Sequence, residues 1–183
     1  HRSVSRGLGD VYKRQIIGWQ TPGVLSRKDY AALQVIDSLL GSGMSSRLFK
    51  NLRDKDGLAY QLGSQYSPNA LKGAFIVYIG TNPENLNYAQ SRMLEEVFRL
   101  KKEFVGSKEL QEAKDKLLGH YIIGQETNLD KATTIGWFEA SGRGYKFDDQ
   151  YAQLINSVTE SDIIEVANKY FNNNYVLSIV KPD

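Results

Sequence analysis

The sequence predicts an α+β domain, a largely antiparallel sheet with helices packed on one face. Three observations carry that reading. Apolar residues recur at helical spacing in segment after segment. Two neighbouring segments instead follow a strand pattern and are joined by a loop too short for a parallel crossover. A further strand pattern stands near each end, giving the order β, α, α, β, β, several α, β. The 183 residues, 41% of them hydrophobic, suit one domain with a real core.

The first strand is IIGWQTP, Ile16 to Pro22, closed by Pro22-Gly23. Ser26 with Asp29 three residues on marks a helix start. Ala32, Val35, Ile36, Leu39 and Leu40 give that helix its apolar face, and Gly41-Ser42-Gly43 ends it. MSSRLFKNLRDKDG reads as a second, short helix stopped by Gly57.

The period then changes. Tyr60, Leu62, Ser64 and Tyr66 alternate along one strand. Pro68-Asn69 and Gly73 bracket a turn. AFIVYI, Ala74 to Ile79, is apolar on both faces and predicts a central, buried strand. Five helices follow. Leu86, Ala89, Met93, Val97, Leu100 and Phe104 mark one, and Leu110, Ala113, Leu117 and Tyr121 the next. A third ends near Gly142 to Gly144. DDQYAQLINS is a fourth, and Thr159 with Asp162 caps a fifth. YVLSIV, Tyr175 to Val180, is the last strand. There is no repeat and no interdomain linker.

Residues 1–15 stand apart, with no apolar period and no turn logic. Asp10 to Gln15 can be encoded by GAT GTG TAT AAG AGA CAG, the end of a transposon adapter used in preparing sequencing libraries, and Gly9 permits its leading base. The expected division is therefore a translated adapter tail over 1–15 and a domain over 16–183, cut on its N-terminal side. The charge argument changes with it. The whole chain has 23 basic and 21 acidic residues. The tail holds Arg2, Arg6, Lys13 and Arg14 against Asp10, so the remainder carries a net charge of −1. No electrostatic case for a nucleic-acid partner remains.

The absence of cysteine excludes disulfides, thiolate metal sites and a cysteine nucleophile. No apolar run is long enough to cross a bilayer, so no membrane partner is expected. The compartment stays open, cytoplasm or periplasm if the source is bacterial.

The informative segment is LLGSGMSSRLFKNLRDKDGLAY, Leu39 to Tyr60. It has a glycine-rich break at Gly41-Ser42-Gly43, an SSRLF helix start at Ser45 to Phe49, then Leu52-Arg53 and Gly57 to Tyr60. This order resembles the second-domain pattern of the M16 family of zinc metallopeptidases (insulinase, pitrilysin, mitochondrial processing peptidase). The resemblance runs from about Ile16 to the last strand. Ser42 stands where a further glycine is usual.

That resemblance implies a division of labour. The family carries zinc on another domain, through an inverted H-x-x-E-H motif. This chain lacks the motif. Its histidines are His1, in the tail, and His120, neither followed by x-x-Glu-His. A catalytic zinc needs about three protein ligands, so no cofactor is expected on this chain. The zinc belongs to a missing N-terminal domain or a separate subunit, and the isolated chain is expected to be inactive. The likeness is to the non-metal half, whose arginine and tyrosine match Arg53 and Tyr60. A guanidinium and a phenol can stabilise charge on a scissile carbonyl oxygen or hold neighbouring carbonyls. The implied partners are the zinc-bearing half and extended peptide substrates, with the Gly41-Ser42-Gly43 loop as a substrate-binding element. The alternative is a non-catalytic M16-like scaffold or binding subunit.

The remaining candidates read as structural. Arg47 is expected to tie its helix start to the sheet. Trp19, Trp137, Phe138 and Tyr145 are expected in the core or at a domain interface. An isolated domain cut from a closed chamber is expected to expose an apolar patch.

Overall fold

The computed structural model describes residues 13–180. Its sheet holds four strands: β1 (Lys13–Pro22), β2 (Gln61–Pro68), β3 (Lys72–Thr81) and β4 (Val176–Val180). They lie in the order β2-β3-β1-β4, and every neighbouring pair is antiparallel. Six α-helices accompany them: α1 (Arg27–Leu40), α2 (Leu86–Arg99), α3 (Ser107–Ile123), α4 (Asn128–Ala140), α5 (Phe147–Asn156) and α6 (Glu160–Tyr170). The architecture is the α+β layer that the alternating periods predict.

The sheet has one covered face and one open face. Along β1 the residues Gln15, Ile17, Trp19 and Thr21 are buried, and on β3 Phe75, Val77 and Ile79 join them. Helix α1 lies beneath and buries Ala32, Leu33, Val35, Ile36 and Leu40 completely or nearly so. Trp19 closes the far end, with its ring 5.3 Å from Phe171 and its Nε1 donating to the Asn172 carbonyl at 2.8 Å.

β3 is central, as the apolar run predicts, but it is not buried on both sides. Phe75, Val77 and Ile79 face the helices, while Ala74, Ile76 and Tyr78 face outward, Ala74 exposed and the other two only partly covered. Strand pairing sets Gly18 beside Ile76 and Val176, and Ile16 beside Tyr78 and Ser178. The result is a shallow apolar depression of about 370 Å³ on the open face, with Val176 74% exposed. This is the exposed apolar patch expected of such a domain.

The expected boundary after residue 15 moves. Lys13, Arg14 and Gln15 belong to β1, paired with Thr81, Gly80 and Ile79. Backbone pairing makes no demand on side-chain period, so a strand can extend through residues that carry no pattern. Gln15 is fully buried and its Nε2 donates to the Leu86 carbonyl at 2.7 Å, but its Oε1 has no partner. The rest of the predicted tail, including His1, lies outside the described residues.

Two helix-start expectations resolve differently. Thr159 and Asp162 form a full capping box at α6. Ser26 precedes α1 but makes no side-chain cap bond; Asp29 instead accepts from Lys169 at 2.6 Å and Tyr170 at 2.5 Å, tying α1 to α6. Phe104 lies beyond α2 and is exposed. Phe138 and Trp19 are core residues, while Trp137 and Tyr145 are exposed.

Candidate functional site

The segment after α1 is built from three devices. The first is a close approach. Gly41 caps α1, and a Cβ there would stand 1.9 Å from the Ser64 nitrogen of β2. Only glycine lets the helix end lie against the strand. Above it, the Asp37 carboxylate accepts from Ser64 Oγ at 2.5 Å and from the Tyr66 N–H at 3.2 Å, covering part of the β2 edge. Burial pushes the Asp37 carboxyl above its ordinary value.

The second device is a π-helix over Phe49–Lys55, where the sequence predicts an ordinary helix. Its wide turn shows in the bond from the Asp56 N–H to the Asn51 carbonyl, five residues back. Such turns are rare and recur at functional sites. The Arg53 guanidinium lies 4.7 Å from the centroid of the Phe49 ring. An exposed cation–π contact of this kind contributes about 0.5–1 kcal/mol and orients the planar group.

The third device is the exit turn. Gly57 has φ +63, the left-handed region, and follows the helix where such a residue ends it. Its N–H reaches the Arg53 carbonyl at 3.1 Å, and the Leu58 N–H reaches Leu52 at 2.8 Å. The chain is then fastened to the end of β3: Thr81 Oγ1 donates to the Leu58 carbonyl at 2.7 Å, and the Tyr60 N–H to the Gly80 carbonyl at 3.1 Å. From α2, Arg92 grips Asp56 through its Nε at 2.8 Å and also donates to Glu95, and those hydrogen bonds hold its guanidinium well above the ordinary arginine value.

These constraints bring Arg53 and Tyr60 to one cavity of about 200 Å³, lined also by Gly57, Leu58, Ala59, Thr81 and Asn82. Tyr60 is 71% exposed. Gly41, Ser42 and Gly43 do not line it. Gly41 is spent on packing, and Gly43, at φ +74, lies beside the Lys116 ammonium, 3.1 Å from where its Cβ would stand. Arg47 points elsewhere than expected. Its guanidinium forms a two-pronged pair with Glu109 of α3, both contacts at 2.7 Å, so it ties the helix start to α3 and not to the sheet. Phe49, Asp56, Asn82 and Arg92 belong to the site's construction, and the sequence carries no signal of that role beyond Phe49's place at the end of SSRLF, four residues before Arg53.

His120 lies exposed in the last turn of α3. Among the described residues no three His, Cys, Asp or Glu side chains cluster as a metal site, and the residues here do not fit a zinc ion. No described helix is long and apolar enough to cross a membrane.

Residues 11–117 match the family model described as the peptidase M16 inactive domain. The chain belongs to that family. Its fold agrees. The solved structure of a protease from Helicobacter pylori superposes with TM-score 0.82 at 27% identity, covering 95% of this chain and 42% of that one. A peptidase M16 inactive domain from Pseudomonas fluorescens gives TM-score 0.82 at 22% identity, over 94% of this chain and 42% of that one, a likeness of fold. An uncharacterised zinc protease of Rickettsia bellii is 27% identical over 168 residues, which is 92% of this chain but 40% of the relative. This M16 domain thus spans about two-fifths of the length of the zinc-protease relatives it matches, and pairing with an M16 N-terminal domain is the arrangement its family implies.

Proposed function

We propose that this chain is the non-metal half of an M16-type zinc endopeptidase, binding extended peptide and contributing Arg53 and Tyr60 to the transition state. The observation that carries the reading is their shared cavity, walled by a helix exit and a strand end that five separate backbone and side-chain bonds hold in place. Peptide hydrolysis builds negative charge on the scissile carbonyl oxygen. A phenol O–H and a planar guanidinium, fixed before substrate arrives, offset that charge without reorganising. Any zinc lies off this chain, on the remaining part of a longer protein or on a partner subunit.

The open sheet face supports the same reading. Ile16, Ile76 and Val176 present apolar surface that a solitary domain leaves in water. We assign that face to the zinc-bearing half. Ser42 and Gly43, which are not packed against β2 as Gly41 is, stay as candidates for substrate contact outside that cavity.

The test joins this domain to its zinc-bearing half and changes one group at a time. Tyr60→Phe removes a hydroxyl and keeps the ring. It should lower kcat by about 10²- to 10³-fold with little change in stability. Arg53→Lys keeps charge but loses the planar fork, and should also impair turnover. Full activity in both variants would remove the pair from the chemistry and leave a scaffold or binding subunit as the better description.

A further inference from the structure

Beside Arg53 and Tyr60 the cavity wall holds one more uncharged polar side chain with both a donor and an acceptor to offer, the Asn82 amide. Thr81 is already committed: its hydroxyl is buried and spent on the Leu58 carbonyl. Asn82 is exposed and stands at the start of a 3-10 turn, Pro83–Asn85. Asparagine at such a position is ordinarily explained as a cap. Here the side chain makes no cap bond, and the turn is closed by backbone alone, from the Asn85 N–H to the Asn82 carbonyl at 3.0 Å. The structural explanation for an asparagine is therefore not realised.

The backbone under Asn82 is also fixed. Pro83 restricts the residue before it to extended conformations, and Asn82 has φ −63 and ψ 146. It continues the line of β3 past Thr81, on the side where Tyr60 is pinned to Gly80. A carboxamide carries an N–H donor and a C=O acceptor together, the same complement as a peptide unit. Neither the guanidinium nor a carboxylate offers both.

We infer that Asn82 is a third substrate-contacting residue, pairing its amide with the main chain of an extended peptide next to the scissile bond. The inference rests on the reading of the Arg53–Tyr60 cavity given above. Arg53 and Tyr60 respond to charge that develops during reaction. Asn82 reads a neutral peptide unit present before and during reaction, so its contribution is to binding and to register. Its contacts with main chain make it tolerant of substrate side chains.

The test uses the complete peptidase and one quenched fluorescent peptide, together with depsipeptides in which one non-scissile amide at a time is an ester. The ester removes an N–H and weakens a carbonyl acceptor. Asn82→Ala should raise KM about three- to tenfold, the worth of one or so neutral hydrogen bonds, with kcat within about twofold and an unchanged melting temperature. One ester position should weaken the parent enzyme by a similar factor and have no further effect in Asn82→Ala. An unchanged KM, or mutation and ester adding independently at every position, overturns the assignment. Tyr60→Phe measured alongside separates two failures. If it slows turnover while Asn82→Ala is silent, only Asn82 is lost. If both are silent, the cavity is not the substrate site and both readings fall.

Discussion

Gly57 offers a clean perturbation of the site. A Cβ built there meets nothing within 4 Å, so replacing it by alanine introduces no clash. The whole cost comes from φ +63, which an L side chain adopts at an expense of about 1–2 kcal/mol. In a domain of this size each kcal/mol lowers the melting temperature by about 2–4 °C, so Gly57→Ala should lose about 2–8 °C. Gly57→Asn should lose clearly less, because asparagine tolerates the left-handed region. Thermal unfolding of the three proteins measures this directly. Turnover in the complete peptidase should follow the same order, since the turn sets how Arg53 faces Tyr60. If alanine melts with the parent, or asparagine costs as much as alanine, the backbone argument is wrong. Gly41 gives the opposite case. Its φ is −130, yet an added Cβ would stand 1.9 Å from Ser64 N, so Gly41→Ala must push α1 from β2 and should cost more.

Other outcomes follow from the same contacts. Arg47 holds the Glu109 carboxyl below its ordinary 4.5. A lowered folded value stabilises fully above about pH 4.5 and is lost as pH falls through that lower value. Urea unfolding of Arg47→Ala should therefore show a deficit of about 0.5–1 kcal/mol at pH 7, kept small by the solvent around Glu109, that shrinks in acid; a deficit independent of pH would assign Arg47 to packing alone. Arg92→Ala frees Asp56 and should reduce kcat/KM severalfold while Arg92→Lys restores part of it, in a peptide-cleavage assay of the complete enzyme. Metal analysis of the chain purified without chelator should find no stoichiometric zinc, and one tightly held ion per chain would contradict the placement of zinc on the partner.

Periodic segments were legible because burial imposes their period: α1 shows it at Val35, Ile36, Leu39 and Leu40, and α6 at Ile163, Val166 and Ala167, all buried. The capping box at Thr159 was legible for the same local reason. β3 reads from sequence as buried on both faces because its outward residues Ala74 and Ile76 are apolar although no described element covers them. Sequence records which side chains want cover, not which chain supplies it. Contacts distant along the chain were invisible: Arg47 meets Glu109 and Arg92 meets Asp56 across 62 and 36 residues, and no local pattern announces either. Arg53 and Tyr60 were reached through an ordered motif. Asn82 was not, because its claim rests on a cap bond that it fails to make.

The π-helix at Phe49–Lys55 carries a consequence for how this segment tolerates change in length. A five-residue backbone bond, Asn51 to Asp56, encloses one residue more than an α-helical turn needs. Deleting a single residue there would let the turn close as ordinary α-helix, with every backbone group still paired. Stability and direction would both survive, because the wide turn has absorbed its extra residue and can give it up with the residues on either side still facing as before. In ordinary α-helix the same deletion would turn everything after it by about 100°, since a turn holds about 3.6 residues. These seven positions can therefore lose one residue at little expense to the aim of Arg53, whereas a further insertion would have no slack left to take it up.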